Sequence, residues 1–222
     1  MRSLLTSRRH VLGAFAVLGL ALGVAAPQAS AAASTAVMSP SQLVQDSSQR
    51  VIRTLAERRS EFQTNPTALH SFIRSEFNTD FDRVYAARLV LGRNGRTASD
   101  SDMREFADAL AENLMLRYGN SLLEVDPGLT VKIVSATPYR DGSIVKVLSL
   151  IDRKTGTPVS IDYLFHQNDG RWQVFDVIVE GVSFVQTFRT QFDDELRSKS
   201  LAQITADLRA NKIQADASAA KP

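Results

Sequence analysis

The chain is 222 residues long, with 26 Lys and Arg, 24 Asp and Glu, three His and no cysteine. That length suits one ordinary domain plus a targeting segment. The lack of cysteine excludes disulfides, thiol catalysis, thiolate metal sites and a cysteine lipid anchor. Three of the 26 basic residues and none of the 24 acidic ones fall in residues 1–31, so the remainder carries 23 basic against 24 acidic residues. A domain so close to neutral gives no global electrostatic case for nucleic acid.

Residues 1–31 read as an export signal. Arg2, Arg8 and Arg9 form a basic start, residues 11–26 are an apolar run, and Ala29-Ser30-Ala31 fits a small-residue cleavage site. The run is too short and too rich in Gly and Ala for a good spanning helix. Ser7-Arg8-Arg9-His10-Val11-Leu12 resembles a twin-arginine export motif, with Val11 where Phe is usual. No other long apolar run follows, so the exported chain is expected to be soluble.

Residues 32–38 form a linker. Ser39-Pro40 starts a helix, Ser capping and Pro fitting the first turn, and Leu43, Val44, Val51, Ile52, Leu55 and Phe62 keep one face. Asn65-Pro66 starts a second helix with Leu69, Phe72, Ile73 and Phe77 in its stripe. Phe81, Val84, Tyr85, Leu89 and Leu91 make a third, which Gly92 ends. After the polar connector Arg93-Asn94-Gly95-Arg96, Ser99 or Ser101 caps a helix striped with Met103, Phe106, Ala107, Leu110, Leu114 and Tyr118 and ended by Gly119. Asp100, Asp102 and Glu105 in its first turn suit the helix dipole.

The second half alternates with the two-residue period of strands. Residues 129–137, 144–152 and 159–166 are strands, turned at Asp141-Gly142 and at Lys154-Thr155-Gly156-Thr157-Pro158. Asn168-Asp169-Gly170 turns the chain into 172–179, a strand apolar on both faces. Strict alternation puts Trp172, Val174 and Ile178 on one face and Phe175, Val177 and Val179 on the other. Gly181 breaks the period, helices follow over 182–197 and 200–211, and residues 213–222 are expected to be a flexible tail. Helices, four sequential strands, then helices predict one α+β domain over 39–212 with a four-stranded antiparallel meander.

Catalytic candidates are few. His10 leaves with the signal, and His70 and His166 read as partly exposed structural histidines or as acid–base groups. Asp80, Asp82, Asp100 and Asp102 flank helix starts, where capping explains them, and Asp193-Asp194-Glu195 reads as a solvated helix face. Neither a Gly-x-Ser-x-Gly elbow nor a P-loop occurs. Gly92-Arg93-Asn94-Gly95-Arg96 suits a surface loop or a phosphate contact. What remains is a surplus of apolar surface, which fits either an ordinary packed core or a lined cavity.

Four segments in order add a resemblance: Tyr85-Ala86-Ala87-Arg88-Leu89-Val90-Leu91-Gly92-Arg93, the Phe106 helix with its Arg117-Tyr118-Gly119 exit, Trp172-Gln173-Val174-Phe175-Asp176-Val177, and Val179-Glu180-Gly181-Val182-Ser183. Over residues 40–210 the chain resembles the Mla periplasmic phospholipid-binding shuttle family, of the toluene-tolerance or MlaC type. The resemblance implies a soluble, non-enzymatic α+β carrier in the periplasm. Its sheet would be roofed by the N-terminal and C-terminal helices around an apolar lipid cavity, with acyl chains inside and the headgroup near the mouth. It implies passage of lipid between an outer-membrane lipoprotein–porin complex and an inner-membrane ABC transporter with its substrate-binding ring, maintaining outer-membrane lipid asymmetry. The expected partner is phospholipid, as cargo, with no cofactor, no metal and no nucleic acid, on a monomer.

The expected lining follows the apolar faces: Tyr85, Leu89, Phe106, Leu110 and Leu114 from helices, Val145, Val147, Val174, Phe175, Val177 and Val179 from the sheet, and Val182, Phe184 and Val185 after it. Arg88 and Arg93 are the candidates for headgroup or partner contact. Three alternatives stay open: another envelope lipid such as a hopanoid as cargo, an envelope adaptor with a packed core, and an enzyme in which His70 or His166 acts near Asp162 or Asp176.

Overall fold

The computed structural model describes residues 37–152 and 157–216. The expected export signal, most of the linker, the centre of the turn at 154–158 and the last six residues of the expected tail lie outside the described residues.

Helix α1 (Pro40–Glu57) starts in a capping box, in which Gln42 N donates to Ser39 Oγ and Gln42 Oε1 accepts from Ser39 N at 2.9 Å. The single long helix expected over this region breaks at Arg58, whose φ of −105° and ψ of 17° leave the helical basin, and α2 (Arg59–Thr64) follows. Asn65 caps α3 (Pro66–Asp80) through Ala68 N, and Asp82 caps α4 (Arg83–Leu91) through Tyr85 N. Gly92 ends α4 with φ +54° and ψ −118°, and the Arg189 guanidinium packs where a side chain would stand, so only glycine suits the position. The expected polar connector forms a single helical turn, α5 (Asn94–Thr97). Ser99 rather than Ser101 caps α6 (Asp100–Tyr118), and a 3-10 turn (Gly119–Glu124) leads to the sheet.

The sheet has five antiparallel strands in sequence order: β1 (Thr130–Tyr139), β2 (Ile144–Asp152), β3 (Val159–Asn168), β4 (Arg171–Val179) and β5 (Val182–Ser183). The α+β meander is as expected; the count of four is corrected by β5. Glu180 (φ +52°) and Gly181 (φ +84°) form a two-residue turn of the kind that closes tight hairpins, so Val182 pairs with Val179 and Ser183 with Ile178. Helix α7 (Phe184–Glu195) therefore starts two residues later than the apolar pattern suggested, and α8 (Leu201–Arg209) follows from a second capping box at Ser200.

Strand β4 contains a bulge. Phe165 pairs with Val174, Leu164 with Asp176 and Tyr163 with Val177, so Phe175 is an extra residue. Tyr163 and Phe165 share a face of β3, which puts Val174 and Val177 on the same face of β4 rather than on opposite ones. That face carries Val147, Phe165 and Val174 against Val44 of α1. A larger cluster joins α4, α6, α7 and α8 around Phe106, Phe188, Phe192 and Ile204, and a third joins α1, α2 and α3 around Leu55, Phe62 and Leu69.

The chain does not leave the fold at Ile213. Asn113 is 2% exposed; its Nδ2 donates to the carbonyls of Leu208 (3.1 Å) and Ile213 (2.9 Å), and its Oδ1 accepts from Ala215 N (2.9 Å). Ile213 and Ala215 are buried by that docking. No helix among the described residues is long and apolar enough to cross a membrane.

Candidate functional site: an apolar cavity between helices and sheet

Where α3, α4, α6 and α7 face the end of β4, the side chains do not meet, and a cavity of about 820 Å³ remains. Small residues keep the helices from closing it. Ala86 and Ala87 of α4 and Ala107 and Ala111 of α6, the latter pair one turn apart, present methyl groups where larger side chains would fill the space. Longer apolar groups complete the walls: Ile73 and Phe77 from α3, Leu110, Leu114 and Met115 from α6, and Leu122 from the 3-10 turn. The sheet side is Val177, Val179 and Val182, and α7 adds Phe184, Val185 and Phe188.

Three charged residues reach this lining. Asp176 is 5% exposed and its carboxylate accepts from Ser183 Oγ (2.6 Å) and from Val185 N (3.1 Å), capping the first turn of α7. Burial pushes its pKa above the ordinary carboxylate value, and the hydrogen bonds from Ser183, Val185, Val177 and Phe184 oppose that without cancelling it. Glu180 stands exposed at the β4–β5 turn, its Oε1 accepting from Ser160 N. Arg83 pairs with Asp108 at 2.6 Å. Among the described residues no group of three or more His, Asp or Glu is placed to hold a metal ion.

Of the lining expected from sequence, Leu110, Leu114, Val177, Val179, Val182, Phe184 and Val185 are brought together around the cavity. The others stand elsewhere. Phe106 packs edge-on to Phe192 inside the helical cluster, with ring centres 5.2 Å apart, and Leu89 packs against the same cluster. Val145, Val147 and Val174 belong to the sheet face under α1. Tyr85 stacks on His166 at 4.1 Å and Phe175 meets both rings edge-on, so the two aromatics seal the junction of α4 with the sheet. Arg88 is committed to Asp100 and to the Gly95 carbonyl, and Arg93 is exposed at the start of α5; neither borders the cavity.

The histidine pairings expected of an enzyme are not formed. His166 Nε2 lies 3.1 Å from Asp82 Oδ2, while Asp162 faces Lys146 and Asp176 faces Ser183. Since Asp82 also caps α4 and takes a hydrogen bond from Asn168, the His166–Asp82 contact fastens a helix start to the β3–β4 hairpin. Lining residues outside the sequence expectation include the alanines of α4 and α6, Ile73 and Phe77 of α3, Met115, Leu122, Asp176, Phe188 and Arg83. The available signal was alanine at helical spacing inside faces otherwise built of Leu, Met and Phe.

The helix-and-sheet domain thus contains an apolar chamber near the upper end of ordinary ligand-pocket sizes. The MlaC protein family model matches residues 45–210, and the chain belongs to that family. It is 27% identical over 164 residues to the toluene tolerance protein ttg2D of Pseudomonas putida, covering 73% of this chain and 75% of that one. It is 21% identical over 151 residues to the intermembrane phospholipid transport system binding protein MlaC of Haemophilus influenzae, covering 67% and 70%. The fold matches the phospholipid-binding protein of Ralstonia solanacearum, solved in complex with a phospholipid, with a TM-score of 0.67 at 20% identity over 77% of this chain and 96% of that one.

Proposed function

We propose that the chain is an exported, periplasmic phospholipid carrier without catalytic activity. Its cavity takes the acyl chains, and it passes lipid between an outer-membrane lipoprotein–porin complex and an inner-membrane ABC transporter, which maintains outer-membrane lipid asymmetry. The observation that carries this reading is the cavity of about 820 Å³ kept open by alanines and walled by Val, Leu, Phe and Met. Membership of the MlaC family supports it.

The physics demands such a chamber. Two acyl chains of about 16 carbons carry roughly 25 kcal/mol of apolar transfer free energy, gross, at about 0.8 kcal/mol per methylene. A shallow groove leaves most of that surface wet. In this reading Leu110, Leu114, Val177, Val179, Val182, Phe184 and Val185 touch the chains, with Ala107 and Ala111 supplying room. The sequence contains no P-loop, and in this reading direction comes from relative affinities or from ATP hydrolysed by a partner.

The test is native mass spectrometry and lipid extraction on the full chain, exported from its own host and purified without detergent. A stoichiometric mass addition that resolves into phospholipid is expected. Leu114→Trp and Val177→Trp each lower occupancy at least several-fold, because an indole then occupies the chamber. A hopanoid in place of phospholipid overturns the cargo. A folded, empty protein that takes no lipid from vesicles overturns the carrier.

A further inference from the structure

Beside the apolar cavity lies a second chamber of about 220 Å³, and Phe77, Arg83, Ala111 and Met115 form walls of both. Its remaining walls are Arg74, Asn78, Asp108 and Glu112, so the small chamber is polar where the large one is apolar. Arg83 is the only basic residue among the described ones that lines the large cavity. An arginine in that position lays its aliphatic stem along apolar surface and holds its head in the wetter space.

The charges here are balanced and loosely held. Arg83 Nη1 lies 2.6 Å from Asp108 Oδ1 and Arg74 Nη2 lies 3.0 Å from Glu112 Oε1, with the two acids one turn apart on α6. The side chains of Asp108 and Glu112 are 58% and 54% exposed. Ion pairs this wet hold weakly, so an incoming group displaces a carboxylate at little cost. A phosphate on a guanidinium gains two parallel charge-assisted hydrogen bonds. The carboxylate so released needs a cation. A purely anionic headgroup offers none and leaves negative charge stacked beside negative charge. A headgroup that carries an ammonium a short tether from its phosphate meets both needs.

We propose that this chamber is a headgroup site selective for zwitterionic phospholipids, with Arg83 and Arg74 on the phosphate and Asp108 and Glu112 on the ammonium. The proposal rests on the carrier reading. It moves headgroup contact from Arg88 and Arg93, which stand away from the cavity, to the α3–α6 seam.

The experiment delipidates the full chain and offers it vesicles of phosphatidylethanolamine and phosphatidylglycerol in equal amounts. The lipid on the protein is then counted by mass spectrometry. Phosphatidylethanolamine is expected to be enriched roughly three- to tenfold, the range of one charge-assisted contact weakened by solvent. Arg83→Gln loses the enrichment, read as the ratio of the two lipids on whatever protein is loaded. The double variant Asp108→Asn with Glu112→Gln, at surface positions that do not threaten folding, turns the preference toward phosphatidylglycerol. Loading of wild type in the vesicle ratio overturns the headgroup site and leaves the carrier standing. So does a preference that survives in both variants. A folded wild type that takes neither lipid overturns the carrier reading itself, and this one with it.

Discussion

The Asp176 carboxylate ties the end of the sheet to the first turn of α7, accepting from Ser183 Oγ at 2.6 Å and from Val185 N at 3.1 Å beside the cavity wall. Asp176→Ala leaves the buried Val185 N–H without a partner, and a loss of about 1–3 kcal/mol in denaturant unfolding is expected. Burial raises the pKa of Asp176 in the folded state above its ordinary value of 3.8. The folded protein thus holds that proton more tightly than the unfolded chain does. The stability this group contributes is fully present below pH 3.8 and is lost as pH rises through the folded-state value. Measured against Asp176→Asn, which cannot ionise, the wild type should lose relative stability from acid toward neutral pH. A constant difference across that window would show that the carboxylate is not shifted. The polar residue in an apolar strand is visible in the sequence, but its partner Ser183 is not, because a two-residue hairpin brings it back alongside β4. The alanines were hidden for another reason. Ranking helix faces by apolar bulk favours residues such as Phe106, which fill a core, whereas a cavity is made by Ala86, Ala87, Ala107 and Ala111, which decline to.

Elements with strong local signals are readable: the Ser39-Pro40 and Asn65-Pro66 helix starts and the Gly92 stop each rest on chemistry within four residues. Elements set by pairing are not. The bulge at Phe175 is hidden because Val174, Phe175 and Val177 are all apolar, so alternation alone does not say which of them is the extra residue. The strand's two-sided greasiness was legible, but which valine faced which layer needed the register to β3. The C-terminal segment is similar: Ile213 and Ala215 look like the start of a frayed tail until Asn113, about a hundred residues earlier, supplies the hydrogen bonds that hold them. Asn113→Ala removes those partners at once and opens space beneath the segment. Stability should fall by about 2–4 kcal/mol, combining lost hydrogen bonds with a small cavity. Amide hydrogen exchange at residues 213–216 should quicken far more than in the core of α6. Uniform quickening across α6 and the sheet would mean that the segment does not dock as a local unit.

For the molecule as a whole, a chamber of about 820 Å³ lined by Val, Leu and Phe is a standing cost when empty. Its walls lack neighbours on one side and forfeit the dispersion contacts a packed core makes. Water gains little by entering, since Asp176, the most buried polar group of the lining, already holds partners. Under the proposed function lipid replaces the missing core. Lipid that binds only the folded state stabilises it by RT ln(1 + [L]/Kd), about 2.7 kcal/mol at a hundredfold excess over Kd. For a chain of this size that raises Tm by about 5–10 °C. Pressure separates this from generic stabilisation. Unfolding under pressure is driven by the void volume it eliminates, so the delipidated protein should unfold at distinctly lower pressure than the loaded one, with a more negative volume change. Leu114→Trp fills part of the same void with protein. In the delipidated state that variant should resist pressure better than wild type, although it carries less lipid. If loaded and delipidated proteins share one volume change while differing in Tm, the lipid lies on the surface and the chamber between α3, α6 and β4 stays unfilled.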